Sequence, residues 1–192
     1  MSAWIYILVG AVLALVGAFF HARYVTFWGQ RPEDYSDGPA FDIRERFNGP
    51  MACDGVIFGP SGRVSSRFTA EFDARWEGDR CIMDEVFHYD SGTTQRRQWR
   101  LALAPDGRIT AEADDVVGTG TGRQEGSAVL LEYRLRLTPE AGGHVLSVTD
   151  WMYLTPGGAI MNRSQFRKFG IKVAELVATM RPRDAETARK AA

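Results

Sequence analysis

The chain is short of the residues that most catalytic and metal-binding constellations require. It has three histidines and two cysteines among 192 residues. His21, His88 and His144 are too scattered to assemble a ligand set by spacing, so neither a metal nor another cofactor is expected. Cys53 and Cys81 fit neither a zinc motif nor a CxxC redox pair, which leaves one disulfide in an oxidising compartment or two buried thiols. Nucleophile-elbow, HExxH, phosphate-loop and dinucleotide signatures are all missing. Gly118, Gly120 and Gly122 imitate a phosphate cradle, but no Lys follows and no helix begins there to offer aligned N–H donors; the run reads as a bulge or sharp bend in a sheet. A formal net charge of -1 gives no basic field, which argues against nucleic-acid binding.

Charge is also absent from Ala3 to Phe20, an unbroken apolar run about as long as a bilayer core requires. Trp4 and Tyr6 at one end, with Tyr24, Phe27 and Trp28 beyond the other, suit the two headgroup levels. Small residues around Ala18 and Ala22 weakly imitate a signal-peptidase site, but no Lys or Arg precedes the run, so a retained spanning helix is expected rather than a removed leader. No Cys adjoins it to carry a lipid. Arg23 and Arg31 follow the run and, by the positive-inside tendency, would hold the downstream domain in the cytoplasm.

Four parts are expected: a transmembrane anchor at 1–22, a linker at 23–40, a β domain at 41–182 and a polar tail at 183–192 with helix-forming composition. The linker is polar and punctuated by Pro32, Gly38 and Pro39 without sustained period, as a tether would be.

Beyond the linker the period becomes two. In Arg67–Trp76, Phe68, Ala70, Phe72 and Ala74 alternate with Thr69, Glu71, Asp73 and Arg75. Segments 82–89, 96–104, 108–117, 128–137 and 145–154 follow the same style, separated by turn clusters such as Pro105, Asp106 and Gly107. Such a meander must protect its edges, and closure as a mainly β, antiparallel up-and-down barrel of eight to ten strands does so; a sandwich is the alternative.

Several charged residues share a strand phase with large apolar ones. Glu85 alternates with Phe87 and Tyr89, Arg97 with Trp99 and Leu101, Asp115 with Ala113 and Val117, and Asp150 with Val148 and Met152. If that face points inward, the charges must pair with one another or with a bound polar group. One reading is a pocket with apolar walls whose polar anchor meets an amphiphile head at Arg97 or Arg163; the other is a structural ion-pair network.

The residues at 113–118, followed by Gly122, Gly126 and Tyr133, then Asp150–Leu154, Asn162, Arg163 and Lys168 to Gly170, resemble DUF3833, a bacterial lipoprotein domain family of unknown function. Glu85, Phe87, Tyr89, Arg97 and Trp99 match the same pattern, so the likeness spans about Phe41 to Arg181. It implies a lipocalin- or calycin-like barrel, an envelope location and an association with membrane-lipid modification. The acylated Cys of the lipoproteins is lacking, and a spanning helix would take its place.

Following the family against the positive-inside tendency of Arg23 and Arg31, which favours the cytoplasmic side, the expectation is an inner-membrane protein with a periplasmic barrel that binds or presents a lipid or fatty-acid-like amphiphile. Glu85, Arg97, Trp99, Asp115, Tyr133, Asp150, Asn162 and Arg163 are the expected ligand-binding residues. The alternatives are a lipid-modifying enzyme with Glu85 or Asp115 as proton-transfer group, or a non-catalytic scaffold for membrane partners.

Overall fold

The computed structural model describes residues 3–183, with the side chain of residue 140 excepted. Ten strands run antiparallel around a closed barrel: β1 (Gly49–Phe58), β2 (Val64–Glu77), β3 (Arg80–Tyr89), β4 (Thr94–Leu103), β5 (Arg108–Glu112), β6 (Gly120–Glu125), β7 (Ala128–Arg136), β8 (Val145–Leu154), β9 (Ile160–Lys168) and β10 (Ile171–Pro182). Each strand pairs with its sequence neighbours, and β10 returns to pair with β1. Closure gives every strand one enclosed and one outer face, which is why the apolar residues recur at every second position. Phe68, Ala70, Phe72 and Ala74 are all buried inside, as their period-two spacing predicts.

The sequence expectation of one strand over 108–117 is corrected. β5 stops at Glu112, and residues 113–119 form a connection with a single bridge between Val116 and Leu135. The glycine run is split: Gly118, at φ of 77°, lies in a bend as expected, whereas Gly120 and Gly122 lie within β6. A Cβ at Gly122 would come within 2.4 Å of Leu131 Cδ2 and 2.2 Å of the Leu130 carbonyl oxygen, so this strand leaves its room to side chains of β7.

The two barrel ends differ. At the end where β1 begins, α2 (Ile43–Arg46) closes the opening, with Phe41, Ile43 and Phe47 buried beneath it. Asp42 caps this turn through its side chain, accepting from the Arg44 N–H at 2.9 Å, and the Trp76 indole donates to the Phe47 carbonyl at 2.7 Å. At the opposite end lie the β7–β8 loop and the β9–β10 hairpin; that end is the mouth.

Before the barrel runs α1 (Ala3–Tyr24), a helix long and apolar enough to cross a membrane and without a buried residue. It is compatible with a membrane anchor or a signal sequence. Residues 23–40, expected as a tether, instead lie against the barrel as a strap containing two short 3-10 turns, Phe27–Gly29 and Pro32–Tyr35. Tyr35 packs on Trp151 and Tyr153 with ring centroids 5.5 and 5.3 Å apart, and the Gln30 side chain accepts from both tyrosine hydroxyls, that of Tyr153 at 2.6 Å. Backbone bonds from Ser127 to Tyr35 and from Phe41 to Gly126 fasten its lower end. The strap covers the outer faces of β8 and β9, which explains why Trp151, Gln165 and Arg167 are buried although they point away from the barrel axis.

The tail expected at 183–192 lies outside the described residues except for Arg183, whose guanidinium pairs with Glu71 at 2.8 Å.

Candidate ligand cavity

The barrel encloses a cavity of about 390 Å³, within the range of roughly 300–1,000 Å³ usual for small-molecule sites. Its walls are largely apolar and aromatic: Phe68, Phe72 and Phe87 interlock at 5.4–5.6 Å between centroids, and the Trp99 and Tyr133 rings meet edge to face at 5.1 Å. Into this lining the strands insert a polar set. β3 supplies Glu85, β4 supplies Arg97, β7 Tyr133, β8 Asp150, and β9 Asn162 and Ser164, while Asp115 enters from the connection between β5 and β6.

Arg97 organises the set. Its Nε donates to Asp115 at 3.0 Å, and its guanidinium carbon lies 4.0 Å from the Trp99 ring centroid and 5.6 Å from that of Tyr133. Nη2 is buried and has no hydrogen-bond partner among the described residues. Burial alone would lower the Arg97 pKa, but Tyr133, Glu85 and Asp115 more than offset it, so the group stays charged.

The carboxyls respond differently to the same enclosure. Burial pushes Glu85 up to about 7; Arg97 pulls it down, while Asp150 and Asp115 push it further up. Burial also raises Asp150, against the opposing effect of the Asn162 amide and the Ser164 hydroxyl, which donates to it at 2.8 Å. Near neutral pH, then, Glu85 is divided between an acceptor and a donor form.

Seven of the eight expected site residues therefore meet in one cavity: Glu85, Arg97, Trp99, Asp115, Tyr133, Asp150 and Asn162. Arg163 is the correction. It follows Asn162 in β9 and so points to the outer face, where its Nε pairs with Glu175 at 2.6 Å and its guanidinium carbon lies 5.0 Å from the Phe27 ring centroid. Ser164 was missed, although it shares the phase of Asn162. Cys53 and Cys81 are separate buried thiols, and Cys53, at the cavity wall, is pushed up to about 12 by burial. Among the described residues, no three His, Cys, Asp or Glu side chains group as a metal site.

The chain matches the family described as protein of unknown function (DUF3833) over residues 24–182, and it belongs to that family. No curated protein matches it in sequence. Among solved structures, the S-type phycobiliprotein lyase CPES from Guillardia theta is 9% identical with a TM-score of 0.58, covering 81% of this chain and 99% of that one. Rv2717c from M. tuberculosis is 14% identical with a TM-score of 0.53, covering 73% and 96%. At these identities the likeness is one of fold, and it extends over nearly the whole of both neighbours.

Proposed function

We propose that this member of DUF3833 is a membrane-anchored barrel that holds one single-chain amphiphile, a fatty acid or a molecule with a similar polar head, close to the bilayer. The observation that carries the reading is Arg97 Nη2, a charged donor without a partner among the described residues, in the wall of an apolar cavity. Leaving such a donor unsatisfied is costly, and a ligand carboxyl or comparable acceptor would remove that cost. The chain lies along the aromatic and aliphatic walls, while Glu85 in its protonated form supplies a further donor to the head. The cavity suits a single chain better than a bulky two-chain lipid. In this reading the barrel stands on the periplasmic face of the inner membrane, a choice supported by the envelope setting that the family resemblance implies, and a compartment-specific reporter fused to the C-terminus tests it directly.

Native mass spectrometry of the full chain purified in detergent is the decisive experiment. It is expected to show one bound amphiphile per protein, lost in Arg97→Met. A ligand-free protein that also fails to take up a fluorescent fatty acid overturns the reading.

A second reading is favoured by one observation, the near-neutral titration of Glu85 beside Arg97. In it Glu85 transfers a proton in a reaction on the bound lipid, with Asp115 holding Arg97 in place. Glu85→Gln would then abolish turnover of the bound species while sparing its binding. Unchanged composition of the bound lipid in that variant excludes it.

A further inference from the structure

At the mouth of the barrel, β9 and β10 are joined by a two-residue turn, with Lys168 paired to Ile171 across Phe169 and Gly170. Both turn residues have positive φ, 52° at Phe169 and 80° at Gly170, a geometry normally given to Asn-Gly or Gly-Gly. Phe169 is instead an aromatic residue in strained backbone, 94% exposed, and Ile171 beside it is 71% exposed. Lys168 and Lys172 flank them, giving a tip with two apolar side chains between two cations, of which Lys172 also pairs with Glu175 at 2.7 Å. Neither apolar side chain contributes to the barrel core.

The strap brings Trp28, four residues after the end of α1, to this same end. Trp28 lies over Arg167 with 3.6 Å between the guanidinium carbon and the ring centroid, and Arg167 immediately precedes Lys168. Phe27 lies over Arg163 on the same strand. Arg23, in the last turn of α1, donates to the Gly29 carbonyl at 2.7 Å and pairs with Asp34 at 2.7 Å, so the helix end is tied to the strap. Between tip and interior runs an apolar groove of about 360 Å³ lined by Ile57, Leu137, Leu146 and Phe166, with Lys168 at its edge. Ile57, Leu137 and Phe166 also line the main cavity.

We infer that the Lys168–Lys172 hairpin tip inserts into the leaflet from which α1 emerges, setting the barrel mouth on the membrane surface. Phe169 and Ile171 enter the acyl boundary, the lysines meet anionic headgroups, and the half-exposed Trp28 lies at headgroup level. A bilayer is favoured over a protein partner because α1 ends four residues before Trp28, which lies beside the base of the hairpin, and a tethered contact needs little intrinsic affinity. The groove then gives a lipid of that leaflet an apolar path to the cavity. The inference rests on α1 as a membrane helix, and it does not require the cavity to bind lipid.

The test uses the full chain reconstituted in vesicles of phosphatidylcholine with phosphatidylglycerol. An environment-sensitive fluorophore is placed at Phe169→Cys, at Ile171→Cys and, as a control on a turn at the closed end, at Asp79→Cys; both native thiols are buried, so the added one is labelled selectively. Expected are a blue-shifted emission and a several-fold lower iodide quenching constant at 169 and 171 but not at 79, with the protection reduced in vesicles of phosphatidylcholine alone. A protein that resists alkaline extraction yet shows equal quenching at 169, 171 and 79 overturns the docking while leaving the anchor intact. Release by alkaline extraction overturns the anchor and the docking with it. Protection that persists in detergent at doubled particle mass means a second copy covers the tip, and likewise overturns the inference.

Discussion

Glu85 stands opposite Arg97 across the β3–β4 ladder, yet Arg97 directs its Nε to Asp115 at 3.0 Å. The register thus brings an acid and a base together without closing a direct ion pair, and the acid keeps a midpoint of about 7. Two consequences are measurable, one in stability and one in binding.

A carboxyl raised from the ordinary 4.5 to about 7 by burial favours the folded state only while it is protonated. Its contribution is complete below about pH 4.5, declines as pH rises, and is gone above about pH 7. The full swing is about 3 kcal/mol at 1.36 kcal/mol per pH unit. Glu85→Gln, which cannot ionise, is expected to flatten this dependence. Thermal unfolding of the full chain in detergent at pH 5 and pH 8 checks it: wild type loses stability between the two, and the variant loses markedly less.

Binding of a fatty acid should follow the same titration with the ligand's own charge included. When Glu85 ionises it faces the ligand carboxylate together with Asp115 and Asp150, against Arg97 alone. Affinity for a fluorescent fatty acid is therefore expected to fall between pH 6 and pH 8, and Glu85→Gln to remove most of the fall. Arg97→Met should raise the dissociation constant about 10- to 100-fold at pH 6, the worth of one hydrogen bond from a charged donor. Equal affinities for wild type and Arg97→Met would show that the head lies elsewhere.

The strap offers a test of packing outside the barrel. Gly126 has φ of 49°, and a Cβ there would lie 1.8 Å from the Tyr35 carbonyl oxygen. Gly92, at φ of 84°, has nothing within 4 Å of the same position. Both Gly→Ala changes incur the left-handed backbone penalty, but only Gly126→Ala must displace the strap, at a further cost of about 1–3 kcal/mol. The expected result is a larger fall in Tm for Gly126→Ala than for Gly92→Ala, with faster proteolysis between Arg23 and Ala40. Equal falls would mean that the strap contributes nothing to stability.

How far these features could be read from the sequence depended on what each strand packs against. β2, β3, β4 and β8 carry large apolar residues on the enclosed face, so phase alone puts Glu85, Arg97 and Asp150 on the same face as those residues, and the closed barrel turns that face inward. β6 gave no such signal, because Gly120 and Gly122 leave the enclosed volume to Tyr133 and Leu131 of the neighbouring strand. β9 obscured the pattern in another way: Asn162 and Ser164 face the cavity while the strap buries Gln165 and Arg167 on the outside, so polarity no longer marks a side. Arg163 illustrates the cost of setting aside the pleat, since a residue adjoining Asn162 in a strand cannot share its face. Asp115 reached the site by a different route, from a connection instead of a strand. The strap itself has no period to detect; its contacts depend on Gln30 and Tyr35 meeting Tyr153, a residue more than a hundred positions away.

Phe169 separates folding from membrane docking, because the two place opposite demands on it. A type I′-like turn is better served by Asn, whose short polar side chain tolerates the left-handed region that disfavours Phe. Phe169→Asn is thus expected to stabilise the barrel by about 1 kcal/mol, seen as a raised Tm in detergent. If the tip serves the membrane, the same change should expose the hairpin: a fluorophore at Ile171→Cys in reconstituted vesicles becomes more accessible to iodide than in the Phe169 background. Restoring an apolar side chain with Phe169→Leu should recover the protection without the gain in stability, since Leu tolerates positive φ no better than Phe. A variant that is both more stable and equally protected would show that the aromatic ring has no part in docking, and that Ile171 and the lysines hold the tip to the bilayer without it.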